Sequence, residues 1–271
     1  MSKRKQHTTE FGEADAGETR EPNLPETDLA TIPFPVSDPK AEFLLFMFER
    51  KLPYDPRWVS GHDEIVRAEF AQAMADGQRP EQFFRENLAY MGHLIHLETD
   101  FYRDPYIRII TEILPAPRTL LDWGCGSGGT GFKFSGRGYD VSFAKYADSI
   151  GQEFLQWRLG HRGMTNKVYG FDDEIPPHDI VAAFDVVEHA SDPYEELARL
   201  EQVGKIIAVN IPKHKGMPER EEGGMPQLHY KMDVDGIVAH IQANHKVLRI
   251  EDVDYAVFVI YESAPQAKVE N

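Results

Sequence analysis

The stretch LLDWGCGSGGTG, Leu120 to Gly131, gathers five glycines, the chain's single cysteine and one aspartate. Glycine at this density lets backbone turn sharply and pass close to a ligand with no Cβ between them. A strand-like run, TLLDW, leads into the loop, and a helix starting within it would offer free N–H groups at its N-terminus. The chemistry on offer is therefore cofactor binding. Gly124, Gly126 and Gly129 satisfy G-x-G-x-x-G, the pattern of dinucleotide sites. Asp122 argues otherwise: two residues before the first glycine, a carboxylate would repel a pyrophosphate and attract the ammonium of an amino-acid moiety.

Other residue types invite chemistry and have plainer readings beside it. Cys125 lies between glycines with no histidine near it in the chain, so it reads as a small residue that fits rather than a nucleophile. His93 and His96 stand three apart on a predicted helix, but no acidic or cysteine partner accompanies them, and no metal site is expected. His189, after Glu188, has the intrinsic pKa of a general base; the alternative is a ring that bonds backbone to hold its loop. Residues Pro212 to Asp233 form a long polar, Gly/Pro-rich connection of the kind that closes over sites, and His229 and Tyr230 are its side chains expected to reach an acceptor.

The elements that must position these groups fall into two styles. Residues 1–38 are rich in Glu, Thr, Pro and Gly, bury too little apolar surface to offset chain entropy, and read as a disordered acidic tail. Over residues 39–117, AEFLLFMFERKL, HDEIVRAEFAQAMADG, PEQFFRENLAYMGHLIHLETDFY and DPYIRIITEIL repeat apolar residues at three and four, predicting a helical extension. From Arg118, strand-like TLLDWG, YDVSFA, KVYGF, HDIVAAFDVV and KIIAVNIP alternate with helical SIGQEFLQWRL and PYEELARLEQ. That alternation predicts an α/β doubly wound, mostly parallel sheet. HKVLRIEDV and DYAVFVIYE close it as a hairpin, which makes seven strands with the last antiparallel, and residues 264–271 are left as a flexible tail. The glycine loop then sits at the carboxyl edge of the first strand, where open α/β sheets bind ligands.

With strand and loop together, LLDWGCGSGGTG resembles the first motif of class I S-adenosylmethionine-dependent methyltransferases, a hydrophobic strand followed by D-x-G-x-G-x-G. DIVAAFDVVEHASDPYEELARLEQVGKIIAVNIP is similar to that family's fourth strand, following helix and fifth strand, and the resemblance spans roughly 118–262, about half the chain. It implies a Rossmann-like core at 118–263 and S-adenosyl-L-methionine as cofactor. Asp122, Gly124, Cys125 and Gly126 would line the methionine portion, with Trp123 and Gly128 also among the cofactor-binding residues. Phe171, Asp172 and Asp173 would meet the adenine, and Asp185 with Val186 would close the pocket beneath the sulfonium. The family ends its second strand with an acid that bonds the ribose hydroxyls, and here Lys145 stands at that place, followed by Tyr146. A lysine cannot accept those bonds. Three readings stay open: Asp148 substitutes, the ligand carries an added anion, or donor binding is lost. Asn210-Ile211-Pro212 is similar to the Asn-Pro-Pro-aromatic signature of nucleobase amino methyltransferases only in part, follows the wrong strand, and is set aside.

Methyl transfer from a sulfonium is an in-line displacement by an already activated donor, so positioning is most of what the protein must supply. Aromatic residues of the extension, including Phe83, Phe84, Tyr90, Phe101, Tyr102 and Tyr106, could roof the acceptor pocket, pack a core or form a homodimer interface; Tyr90 and Tyr102 are the substrate candidates. With 45 acidic against 29 basic residues, a net charge of −16 argues against nucleic acid and for a small-molecule acceptor. One cysteine, no apolar run near the ~18 residues of a membrane span, and no apolar leader point to a cytoplasmic protein. A non-catalytic member of the fold and an NADP-linked oxidoreductase are the competing readings.

Overall fold

The computed structural model describes residues 38–61, 63–99, 103–213, 232–253 and 255–263. The expected acidic tail up to residue 37, the C-terminal tail from 264, and Phe101, Tyr102, His229 and Tyr230 lie outside them. Asp38, at the edge of the expected tail, is the N-cap of α1 (Pro39–Glu49): its carboxylate accepts the Lys40 N–H at 2.9 Å, and Pro39 supplies a preset φ at the first helical position. Helices α2 (Asp63–Ala75), α3 (Pro80–Glu86), α4 (Leu88–Thr99) and α5 (Asp104–Ile113) follow.

The periodicity across PEQFFRENLAYMGHLIHLETDFY reads as one helix, and the structure breaks it at Asn87. That residue is extended (ψ 121°), and its Oδ1 accepts the Tyr90 N–H at 2.7 Å, an alternative to helix that asparagine offers from its own side chain. The break frees α4 to lie over the glycine loop.

The core is one seven-stranded sheet in the order β3-β2-β1-β4-β5-β7-β6. Its strands are β1 (Thr119–Trp123), β2 (Asp140–Lys145), β3 (Val168–Gly170), β4 (His178–Ala183), β5 (Gly204–Pro212), β6 (Lys246–Val253) and β7 (Ala256–Glu262). β1 pairs in parallel with both β2 and β4, and β7 runs antiparallel to β5 and β6. This is the expected mostly parallel sheet with an antiparallel last strand. Helices α6 (Gly129–Ser135), α7 (Ile150–His161), α8 (Pro193–Val203) and α9 (Val234–Asn244) cover it. One detail differs from the sequence reading: α9 precedes β6 where no helix was expected. β3 passes to β4 with no helix, and FDDEIPP places two prolines where one would have to run.

One face of the sheet packs Leu120, Val141, Phe143 and Ile180 against Tyr106, Ile110, Phe134 and Leu155; the other packs Trp123, Val181, Ile207 and Val259 against Leu197, Leu200, Ile237 and Ile241. The N-terminal helices join the core through Phe43 and Phe46, whose rings meet Phe154 and Trp157 of α7 at centroid distances of 5.1–5.8 Å. Among the described residues no helix is long and apolar enough to cross a membrane.

Candidate functional site

Where the carboxyl ends of β1, β2, β3 and β4 meet the N-terminal helices, the structure encloses a cavity of about 120 Å³. Each wall comes from a different connection. Gly124 and Gly126 come from the loop after β1, Lys145 and Tyr146 from the end of β2, Ser149 from the cap of α7, and Phe171 from beyond β3. Asp185, Val186 and His189 follow β4, Glu196 and Arg199 project from α8, and Phe84, Tyr90, Met91 and Leu94 form the roof from α3 and α4.

The loop after β1 divides in two. Gly124 and Gly126 border the cavity with φ of 66° and 54°, left-handed values that favour glycine, and a Cβ at Gly126 would point at Leu94 from 3.5 Å. Beyond them the glycines face protein. A Cβ on Gly129 would overlap the Glu98 side chain, and Gly128, at φ 91°, abuts Leu155. The something close to which this backbone passes is in large part α4 and α7 of the chain itself. Glu98 accepts the Ser127 hydroxyl at 2.6 Å and pairs with the fully buried Arg158, which also holds Glu42 at 2.6 Å and donates to the Ser127 carbonyl at 2.7 Å. Sequence reasoning missed Glu42, Glu98 and Arg158, since three charges on helical faces look like ordinary solvated positions.

Asp122 lies beneath the loop, not in it. It is buried, accepts the Gly131 N–H at 2.8 Å and does not border the cavity, so its carboxylate holds the start of α6 instead of facing a ligand. Burial pushes its pKa up to about 7, against the opposing pull of Arg103, the Gly131 N–H and Lys145. Cys125 is buried too, and burial pushes its thiol up to about 12, the opposite of a nucleophile's adjustment.

At the end of β2, Lys145 is 8% exposed and donates from Nζ to the Gly126 carbonyl at 2.6 Å. Burial lowers its pKa, while the neighbouring Cys125 and Asp122 act to raise it. Asp148 does not take the place of an acid here. It is exposed, its N–H donates to Gln152 at 2.9 Å, and it lines a separate groove with Arg85 and Glu153. Its φ is 51°, a left-handed value.

Aromatic rings enclose the rest. Tyr146 meets Phe171 edge-on at 5.0 Å and lies parallel to Phe84 at 6.5 Å, and Phe84 in turn meets Tyr90 at 5.0 Å and the His189 ring at 5.4 Å. Trp123 stands behind Phe171 at 4.9 Å and donates to Glu196 at 2.7 Å, outside the cavity itself. Arg199 caps both rings and pairs with Glu196 at 3.1 Å. Of the segment expected to meet adenine, only Phe171 reaches the cavity. Asp173 instead accepts the Gly170 N–H at 2.6 Å, stabilising its own turn, and Asp172 is exposed.

Asp185 adopts a left-handed φ of 57°, held from two sides. Asn210 of β5 exchanges two bonds with it at 2.6 and 2.7 Å, and Arg103 donates to its other oxygen at 2.8 and 3.1 Å. Neither partner was singled out from the sequence for this role. Glu188 is buried with Oε2 lacking a hydrogen-bond partner, and burial, with Asp185 nearby, raises its pKa well above a carboxylate's usual value. His93 and His96 join no metal-ligating cluster, as no group of three or more His, Cys, Asp or Glu side chains suited to a metal occurs among the described residues.

No family model matches the chain, and no curated protein matches it in sequence. Solved structures do. A Pyrococcus horikoshii OT3 protein aligns with a TM-score of 0.50 at 13% identity, over 62% of this chain and 92% of that one. A SAM-dependent methyltransferase from Aquifex aeolicus aligns at 0.49 and 18% identity, over 64% and 98%. The magnesium protoporphyrin IX methyltransferase of Synechocystis PCC 6803, solved with bound SAH, aligns at 0.49 and 13%, over 74% and 100%. The likeness to the Pyrococcus horikoshii structure shows a shared α/β fold, and the mostly parallel seven-stranded sheet, the antiparallel β7 and the D-x-G-x-G-x-G loop after β1 are those that the resemblance to class I S-adenosylmethionine-dependent methyltransferases implies.

Proposed function

We propose that this chain transfers a methyl group from S-adenosylmethionine to a small-molecule acceptor. The observation that carries the reading is the cavity, framed at the carboxyl edge of the sheet by the Gly124–Gly126 turn, the Tyr146 and Phe171 rings and the Asp185–His189 segment. The lining suits the chemistry of a nucleoside linked to an amino acid: Tyr146 and Phe171 offer aromatic surface to a planar base, and the left-handed backbone of Gly124 and Gly126 borders the side the methionine portion would take. When bound, such a donor supplies a methyl group on a positively charged sulfur. The chain's own residues orient the partners. Val186 fills the space above Gly124, Asp185 is fixed by Asn210 and Arg103, and His189 at the cavity wall takes a proton from the acceptor. Tyr90, its phenol pushed up by burial, stays protonated and directs a donor toward the acceptor. Asp122 acts through the loop it braces.

Calorimetry with S-adenosylmethionine and S-adenosylhomocysteine tests the reading. Binding of both, weakened in Phe171→Ala, is the expected result, and no binding to the wild-type protein overturns it. With an acceptor in hand, His189→Ala should lower the rate by roughly 10²–10⁴. A second reading, a binding subunit that no longer transfers methyl groups, is favoured by two observations. Lys145 stands where the resemblance implies an acid, and the cavity's 120 Å³ is below the roughly 300 Å³ at which small-molecule sites begin, so α3 and α4 must yield for a donor to enter. Donor binding without turnover over a broad acceptor panel would select it.

A further inference from the structure

Lys145 borders the cavity with its ammonium buried and, among the described residues, no carboxylate within ion-pair distance. An ammonium has three donors, and one is spent on the Gly126 carbonyl. The charged groups around it do not settle the balance. Asp122 turns its bond to Gly131, Glu196 holds Trp123 and Arg199, and Asp185 holds Arg103. A second source of positive potential adjoins the ammonium. The N-terminus of α7, a 12-residue helix, begins beside the cavity at Ser149, and Gly151 of its first turn packs so closely on Lys145 that a Cβ there would overlap Nζ. A buried cation and a helix N-terminus thus converge on one corner of the cavity wall, which is costly unless an anion completes it.

We propose that the adenine-nucleoside donor of this cavity is a form phosphorylated on its ribose, the phosphate meeting Lys145 and the start of α7, with S-adenosylmethionine itself the weaker, unphosphorylated version of that donor. The inference rests on the reading of the cavity as a nucleoside site, since the end of β2 is where the resemblance places the ribose. A plain diol would offer Lys145 only neutral oxygens. A phosphate accepts from Nζ and from backbone N–H groups together, in charge-assisted bonds about twice as strong as neutral ones.

The test is a calorimetric comparison of adenosine, adenosine 2′-monophosphate, adenosine 3′-monophosphate and S-adenosylhomocysteine on the full chain. Lys145→Met and Lys145→Arg are run alongside, their folding checked by circular dichroism. One of the two monophosphates should bind the wild-type protein at least about tenfold more tightly than adenosine; Lys145→Arg should retain the preference and Lys145→Met should reduce it to about twofold or less. Equal affinities in the wild type, or a preference that survives in Lys145→Met, overturn the proposal. If S-adenosylhomocysteine binds and the phosphate confers nothing, this proposal falls and the methyl-donor reading stands. If none of the four ligands binds, both fall.

Discussion

Two buried cations flank the same glycine loop and bond adjacent carbonyls of it: Arg158 donates to Ser127 at 2.7 Å and Lys145 to Gly126 at 2.6 Å. Their surroundings differ completely. Arg158 is saturated by Glu42 and Glu98, with Arg162 also bonded to Glu42 at 2.7 Å, and it has no contact with the cavity. Lys145 has no such carboxylate and looks onto the cavity. The first is neutralised within the protein and clamps α1, α4, α7 and the loop into one body. The second leaves a charge for something else to answer. On that comparison the same loop is a structural joint on one side and a cavity wall on the other.

The largest expected effect tests the clamped side. Arg158→Met removes the charge that makes Glu42 and Glu98 tolerable in the interior, and should cost about 3–5 kcal/mol in urea unfolding, the magnitude for breaking a buried pair. A cost below about 1 kcal/mol would show the network to be as weak as a surface pair and erase the contrast with Lys145.

Next is Asp122, which both cations' loop rests upon. Its folded pKa of about 7 lies above the ordinary value, so between those two values the native state holds a proton that the unfolded chain has released. Stability from this group is full below the unfolded pKa, falls as pH rises, and levels off above about 7. Asp122→Asn keeps an oxygen for the Gly131 N–H and cannot titrate. From pH 5 to pH 8 the wild type should therefore lose roughly 3 kcal/mol more than the variant, about 1.4 kcal/mol for each pH unit up to the folded pKa. Parallel profiles would mean that Asp122 is ionised throughout, as a site for a ligand's ammonium would require.

How much of this was legible beforehand follows the range of each signal. The sheet was readable because β-branched runs and helical periods are local, and the glycine loop because its residues are contiguous. Asn87 was not, because it breaks a helix through its own side-chain bond while the apolar spacing continues across it. Nor were the partners of the site. Glu42, Glu98 and Arg158 are brought together from separations of 60 and 116 residues, and Asp185 is held by Asn210 from the next strand. Asp122 was located correctly at the strand end and its direction was not, since whether a carboxylate faces up into a cavity or down onto a helix N-terminus depends on packing that no spacing encodes. Lys145 was visible as a departure from the family's pattern, but only the structure shows that Asp148 stands elsewhere.

Gly129→Ala probes the joint from the backbone side. Its φ is unexceptional, so no left-handed strain is involved; the added methyl would overlap Glu98, one of the two acids on Arg158. Urea unfolding should register about 2 kcal/mol, within the range for overpacking, and the loss should shrink in an Arg158→Met background, where Glu98 is no longer held. Additive losses would separate the glycine from the clamp.

The smallest expected effect sits at the other cation. Lys145→Met gives up one charge-assisted bond to the Gly126 carbonyl, which at the cavity wall remains open to water, and removes the burial cost that already lowers the lysine's pKa. Those opposing contributions are of similar size, so unfolding free energy should move by about 1 kcal/mol or less, in either direction. The phosphate preference should fall at least about fivefold in the same variant, whichever way stability moves. That dissociation is what distinguishes a charge kept for a ligand from one kept for the fold. A destabilisation matching that of Arg158→Met would make Lys145 a second clamp and leave the cavity without a charge to answer.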